Sequence, residues 1–332
     1  MTTTVDTFRA FRVFNENGAV HGRLVEAALD DLTDGAVVIK AAYSSVNYKD
    51  ALAATGAAKI IRRFPLVAGI DVSGTVVSSR DPRFNTGDEV LVTGYDLGVA
   101  NDGGYAEYVR VPAEWVVRVP AGLSLFDVMA IGTAGFTAAM SIAELEHNGL
   151  AALDGPVIVT GATGGVGSLA IQCLAARGYT VTALTGKDDQ HEFLKSLGAS
   201  DVLSRHRMQM GDKPLEKSTW AGAVDTVGGE TLAWLTRTMM YRGAIASTGL
   251  AGGTDLHTTV LPFILRGTKL LGIDSVMCPM PLRRHMWECL AGGFKPPKLR
   301  EIAQEITLDD LPRAFATLVE SRAHGRFVVR LS

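Results

Sequence analysis

The stretch "VNYKDAL", residues 46–52, sets four hydrogen-bonding or ionisable side chains directly behind an apolar, strand-like run, "AVVIKAAYSSV". Asn47, Tyr48, Lys49 and Asp50 arrive where a chain usually makes a plain turn. Their types suit carbonyl chemistry: a phenol can donate to an oxygen that gains charge, and an amide can orient a carbonyl or a nicotinamide. Tyr48 and Asn47 are therefore candidate catalytic residues, and Tyr48 is also a candidate contact for a nicotinamide. The plainer alternatives are a phenol packed under the turn and a helix cap at Asn47. Asp50 can equally support the fold by accepting backbone hydrogen bonds. No chemistry is assigned to Lys49.

A second stretch, "VIVTGATGGVGSLAI" at 157–171, carries Gly161, Gly164, Gly165 and Gly167 between a β-branched run and a helical one. Such a strand-to-helix turn aims backbone N–H groups and a helix N-terminus at a pyrophosphate, while the last glycine allows close helix–strand packing. Ala162 stands where the usual G-x-G-x-x-G has a glycine, so an ordinary glycine-rich turn is the alternative. The complete strand–helix–strand unit around it favours a dinucleotide. The next strand ends in "ALTGKDD", with Thr185, Gly186 and Lys187 in place of the acid that binds a ribose 2′-OH in NAD sites. A hydroxyl and an ammonium suit a 2′-phosphate, which a carboxylate would repel, so NADPH is the expected cofactor. Asp188 and Asp189 count against this unless they cap the next helix. Arg205, after "DVLS", is a further phosphate ligand or a solvated charge.

The elements that hold these stretches come in two styles. Up to about residue 124, short β-like runs such as "FRAFRVF", "VSGTVVSS" and "DEVLVTG" are punctuated by Gly, Pro, Asn and Asp, which predicts a barrel-like all-β unit. From about 125, strands and helices alternate, which predicts a parallel sheet with helices on both faces. The tail, "ITLDDLPRAFATLVESRAHGRFVVRLS", reads as a helix and a strand that rejoin the first domain. The expected domains are thus 1–124 with 295–332, and 125–294. A net charge of −3 argues against nucleic-acid binding by bulk electrostatics. No uninterrupted apolar run reaches about 18 residues, and "MTTTVDTFRAFRVF" has no signal-like apolar core, so a soluble cytoplasmic protein without a membrane partner is expected. The three cysteines form no CxxC and the seven histidines no HxxxH or HExxH, so no metal is expected.

"FPLVAGIDVSGTVVSS", "GGYAEYVRVPAEWVVRVP", "AIGTAGFTAAMSI" and the glycine turn resemble the medium-chain dehydrogenase/reductase superfamily across essentially the whole chain. That resemblance implies an α/β protein: a GroES-like β-barrel domain plus a Rossmann domain with a doubly wound parallel sheet. "SSVNYKDALAATG", "WAGAVDTVGG", "PFILRG" and "GIDSVM" are similar to the YhdH/YhfP-type quinone-oxidoreductase group, which includes NADPH-dependent acryloyl-CoA reductases. In the superfamily's zinc alcohol dehydrogenases, ligands occupy the positions of Asn47 and Ile70 here. The resemblance therefore implies zinc-independent hydride transfer to a conjugated double bond or a quinone.

It further implies that Thr163, Gly164, Gly165 and Val166 meet the pyrophosphate, and Thr185, Gly186 and Lys187 the 2′-phosphate. Leu250, Ile264 and Ser275 would lie along the nicotinamide half, with core packing as the alternative for the first two. Arg326 would reach the cofactor from the returning tail. Asp71, beside the missing zinc ligand, is either a catalytic residue at a cleft or a structural one. For a coenzyme A ester, Lys59, Arg62 and Arg63 would share one face if "AAKIIRR" is helical, and Arg283 with Arg284 form a second basic pair; solvated charge is the alternative. The leading expectation is reduction of acryloyl-CoA to propionyl-CoA, by hydride transfer to Cβ and protonation at Cα. An NADPH quinone oxidoreductase comes second and a non-catalytic NADPH-binding protein third. "KLLGIDSV" reads as the last strand of its sheet, whose open edge invites a homodimer.

Overall fold

The structure, a computed structural model, describes residues 7–332. Its elements begin with β1 (Phe8–Glu16), β2 (Ala19–Ala27), β3 (Val37–Val46), α1 (Tyr48–Thr55), β4 (Leu66–Val67), β5 (Asp71–Ser79), β6 (Glu89–Thr93), β7 (Tyr108–Val111) and β8 (Val117–Arg118). There follow α2 (Leu125–His147), β9 (Val157–Thr160), α3 (Gly165–Ala176), β10 (Val181–Thr185), α4 (His191–Ser196), β11 (Asp201–Ser204), β12 (Trp220–Asp225), α5 (Gly229–Thr238) and β13 (Met239–Ser247). The chain closes with α6 (Leu261–Arg266), β14 (Lys269–Gly272), α7 (Met280–Ala291), α8 (Leu299–Ile302), β15 (Ala303–Ile306), α9 (Leu311–Val319) and β16 (Arg326–Arg330). Two compact units result: residues 7–133 with Val276–His285 and Leu299–Ser332, and Ala134–Ser275 with Met286–Lys298.

The first unit is built on β3, which pairs antiparallel with β5, β7 and β16. Along its first half Val37, Ile39 and Ala41 point inward, alternating with Val38 and Lys40. Burying a Val or Ile side chain of this kind stabilises by about 1.5–3 kcal/mol. Alternation then stops: Ser44, Ser45, Val46 and Asn47 are all buried. Three consecutive-neighbourhood polar side chains inside a core must find partners there, and the site described below is the result. β16 lies against this segment, with Phe327 opposite Val46 and Val328 opposite Ser45.

The second unit is a six-stranded parallel sheet in the order β11-β10-β9-β12-β13-β14. This is the doubly wound order 3-2-1-4-5-6, whose strand sequence reverses between β9 and β12 and leaves a ligand crevice at their carboxyl ends. β9, "VIVT", is buried along its whole length, as parallel strands covered on both faces are. β14 is an edge strand, as its sequence predicts. α2 is long and apolar enough to cross a membrane, but 78% of its most apolar 18-residue window is buried inside the protein, which makes it a core helix.

Candidate functional site

In the first unit, α1 starts at Tyr48 because Asn47 is extended (φ −114°, ψ 158°) and the Asp50 carboxylate accepts from the Asn47 backbone N–H at 2.9 Å. This is half of a capping box. A second acceptor of Asp50 takes the Ile70 N–H at 3.0 Å, fastening α1 to the chain just before β5. Asp50 thus has the fold-supporting role considered for it. Tyr48, the first helical residue, is 39% exposed, so its phenol is not packed under the turn.

Behind the helix start lies a buried polar network. The Asn47 amide donates to Asp71 Oδ2 at 2.8 Å and to Asp50 Oδ2 at 3.2 Å, and its Oδ1 accepts from Arg326 Nη1 at 3.1 Å. Asp71 also accepts from the Ser45 hydroxyl at 2.6 Å and from both the backbone and the hydroxyl of Thr133. Arg326 also donates to Ser45 Oγ, Val46 O and Ala130 O. Gly132 is required at the kink of α2: it has φ +52°, and a Cβ there would lie 2.7–2.8 Å from Arg326 Nη2, Ser45 Oγ and Asp71 Oδ2. Burial first, and the Asp71 carboxylate second, push the Asp50 carboxyl up to about 7. Burial also lowers the Arg326 guanidinium, while Asp71, Tyr105 and Asp50 oppose that shift.

Several expectations change here. Asn47 and Asp71 do come together, but as a braced, buried pair whose donors and acceptors are committed to protein. Arg326 does not stand out from the tail toward a ligand: it is 3% exposed and donates four hydrogen bonds to protein acceptors. Lys59, Arg62 and Arg63 share no helix face, because α1 ends at Thr55 with Gly56 in the left-handed region as its cap. Arg62 instead pairs with Asp96 at 3.1 Å and Arg63 with the buried Asp102 at 3.3 Å, while Lys59 lies on an exposed loop. The Arg283–Arg284 pair divides as well. Arg283 is buried, donating to Thr93 O, Thr93 Oγ1 and Val276 O, with its guanidinium 4.5 Å over the Tyr95 ring.

In the second unit, β9 delivers the chain to Gly161 (φ +58°) and α3 begins at Gly165 behind an extended Gly164. A Cβ on Gly167 would lie 2.5 Å from Gly161 O and 2.8 Å from Ala162 Cα, so only glycine lets the helix sit this close to the strand end. No acidic residue occupies the first turn of α3. The first N–H groups of a helix have no partner within it and carry its positive end. Thr163, Gly164, Gly165 and Val166 therefore form an opening that fits a pyrophosphate.

At the end of β10, the Lys187 N–H donates to Thr185 Oγ1 at 3.0 Å and the Arg205 N–H to Thr185 O at 2.7 Å. The guanidinium of Arg205 rests over Gly186, where a Cβ would meet Nη2 at 3.0 Å. Lys187 and Arg205 thus gather around one turn. Burial lowers the Lys187 ammonium, with Asp189 opposing, and a bound phosphate would favour its charged form. Asp188 and Asp189 lie in the first turn of a short 3-10 helix, one and two positions beyond its cap, Lys187, rather than at the cap itself. The Ser204 hydroxyl beside Asp188, then Arg207, His206 and His191, hold its carboxyl below the usual range. The two cations gathered at this turn fit a 2′-phosphate, with Asp189 the acid that acts on Lys187.

Leu250 and Ile264 are 57% and 68% exposed, which removes core packing as their explanation. Ser275 is buried, its hydroxyl accepting from Thr137 Oγ1 at 2.8 Å. Sequence reasoning missed Ser45, Thr133 and Asp225. Asp225, fully buried at the end of β12, accepts from Thr160 Oγ1 and from the N–H groups of Val227 and Gly228, locking the loop after β12 to the end of β9. Only a buried acid before "TVGG" could have signalled it.

Comparison with known proteins follows the same division. Residues 33–121 match the family described as "Alcohol dehydrogenase GroES-like domain", and residues 165–292 the one described as "Zinc-binding dehydrogenase". Acrylyl-CoA reductase AcuI of Ruegeria pomeroyi is 44% identical over 315 residues, covering 95% of this chain and 96% of its own. Escherichia coli K-12 YhdH, solved with NADPH bound, superposes with a TM-score of 0.95 at 44% identity, covering 97% of this chain and 100% of that one. YhfP of Bacillus subtilis, provisionally named a quinone oxidoreductase, is 49% identical over 315 residues, 94% of this chain and 95% of its own. Its structure with NAD bound gives a TM-score of 0.95 at 47% identity, over 98% of this chain and 99% of that one.

Proposed function

The chain belongs to the medium-chain dehydrogenase/reductase superfamily, in the group of YhdH, YhfP and AcuI, and on that footing we propose that it reduces acryloyl-CoA to propionyl-CoA with NADPH. The observation that carries the substrate is the full-length likeness to an acrylyl-CoA reductase. Relatives are solved with NADPH and with NAD; the turn of Thr185, Gly186 and Lys187 with Arg205 favours the 2′-phosphorylated form.

NADPH bound here would supply the hydride that reaches Cβ of the acyl group. Thr163, Gly164, Gly165 and Val166 hold its pyrophosphate, and Leu250, Ile264 and Ser275 its nicotinamide half. Tyr48 presents an exposed phenol that can donate to the thioester oxygen as enolate charge builds there. Asn47 and Asp71 act by position, fixing the start of the helix that carries Tyr48. A proton from Tyr48 or water completes the reaction at Cα. Asn47 and Ile70 offer no cysteine or histidine where zinc alcohol dehydrogenases have ligands, and the proposed step requires no metal. Lys59 is the exposed candidate for a CoA phosphate.

The provisional name of YhfP favours a second reading, quinone reduction with the same cofactor. Steady-state rates of NADPH consumption with acryloyl-CoA and with quinones discriminate the two. Consumption independent of any acceptor, or absent with both, would leave a non-catalytic NADPH-binding protein. We further infer a cytoplasmic homodimer, supported by three free cysteines and the open edge of β14.

A further inference from the structure

The turn after β10 contains a contact that the proposed function does not use. A ring nitrogen of His206, Nε2, lies 2.9 Å from the carbonyl oxygen of Gly186. A carbonyl only accepts, so Nε2 carries the proton. The same glycine is overlaid by Arg205 and sits between the Thr185 hydroxyl and the Lys187 N–H that it receives. Among groups suited to an anion, the Gly186 carbonyl is the misfit: its oxygen carries partial negative charge. Turned toward a phosphate it would repel it. A donor bonded to that oxygen fixes its direction and offsets part of its charge.

We propose that His206 is a positioning residue for cofactor selectivity, holding the Gly186 carbonyl so that the Thr185–Lys187 turn accepts a 2′-phosphorylated dinucleotide. The inference rests on the NADPH reading given above. It requires a hydrogen bond rather than a charge, because the group being held is a neutral peptide carbonyl. The other titratable or charged groups of this region are Lys187, Asp188 and Asp189 on the turn, Arg205 and Arg207 on the following loop, and His191 on α4. His206 is the side chain that hydrogen-bonds that carbonyl.

The test is the dissociation constants of NADPH and NADH for the purified full chain, by fluorescence titration, in His206→Ala, His206→Gln and Lys187→Ala. His206→Ala should weaken NADPH about tenfold, the equivalent of one lost hydrogen bond, and leave NADH within about twofold. His206→Gln, whose amide can still donate, should recover most of the loss. Lys187→Ala should weaken NADPH alone if the 2′-phosphate binds at this turn. If Lys187→Ala is selective but His206→Ala weakens both cofactors equally or neither, or if Gln fails to rescue, the positioning role is overturned and the cofactor reading stands. If Lys187→Ala is not selective, the cofactor reading falls, and the role of His206 with it.

Discussion

Arg326 and Asn47, 279 positions apart in sequence, meet through a 3.1 Å hydrogen bond from the guanidinium to the side-chain carbonyl. The contact ties the C-terminal strand β16 to the residue that starts α1. It also gives the cluster its cation, since Asp71 and Asp50 are both buried beside the same asparagine. Tyr48 inherits its position from this arrangement.

Arg326→Met should therefore be strongly destabilising. It removes donors from Asn47 Oδ1, Val46 O, Ala130 O and Ser45 Oγ and leaves buried carboxylates without their cation. Breaking a buried charge network by removing one partner costs about 3–5 kcal/mol. Urea denaturation should show a loss of that order; a loss below about 0.5 kcal/mol, the range of ordinary surface substitutions, would contradict the bracing role.

The network also predicts a pH dependence. The Asp50 carboxyl sits at about 7 in the folded chain, raised from 3.8, chiefly by burial. Between those values the folded state holds a proton that the unfolded state has released, so the unfolding free energy falls as pH rises. The contribution is complete below about pH 4 and is lost as pH climbs toward 7. Thermal denaturation from pH 5 to 7.5 should show this decline superimposed on other titrations, and Asp50→Asn should flatten it. An unchanged slope in the variant would assign the effect elsewhere.

Lys187→Glu places a carboxylate on the turn proposed for the 2′-phosphate. Its KM for NADPH should rise by about tenfold or more, as expected when attraction becomes repulsion of about 1.4 kcal/mol or more, while the KM for NADH changes little. Equal changes for both cofactors would remove the phosphate from this turn.

β14 ends its sheet with Leu270 38% exposed. An open parallel edge invites a second copy. Sedimentation equilibrium should give twice the chain mass, and Leu270→Lys should shift the protein toward the monomer. A monomeric wild type would refute the dimer.

What could be read from the sequence was local. The glycine turn, the Thr-Gly-Lys strand end and the change from short strands to strand–helix alternation each fit within one or two elements, where spacing fixes geometry. The Arg326–Asn47 contact could not be read, because no periodicity links residues on different strands across most of the chain. Nor did sequence pair Arg63 with Asp102. The condition set for Lys59, Arg62 and Arg63, a helical "AAKIIRR", is not met: Gly56, just past the apolar run of α1, takes the left-handed conformation with which helices commonly end. The position of Tyr48 behind a strand was readable, but its exposure was not: a phenol packed under the turn fits the same residues, and the structure decides between them.

The most direct test of the account is the steady-state rate of NADPH oxidation by the purified protein with acryloyl-CoA as the only acceptor, with propionyl-CoA measured as product. The account predicts one propionyl-CoA formed per NADPH consumed, at a kcat/KM well above that with any quinone. NADPH oxidation with quinones but no propionyl-CoA from acryloyl-CoA would contradict it.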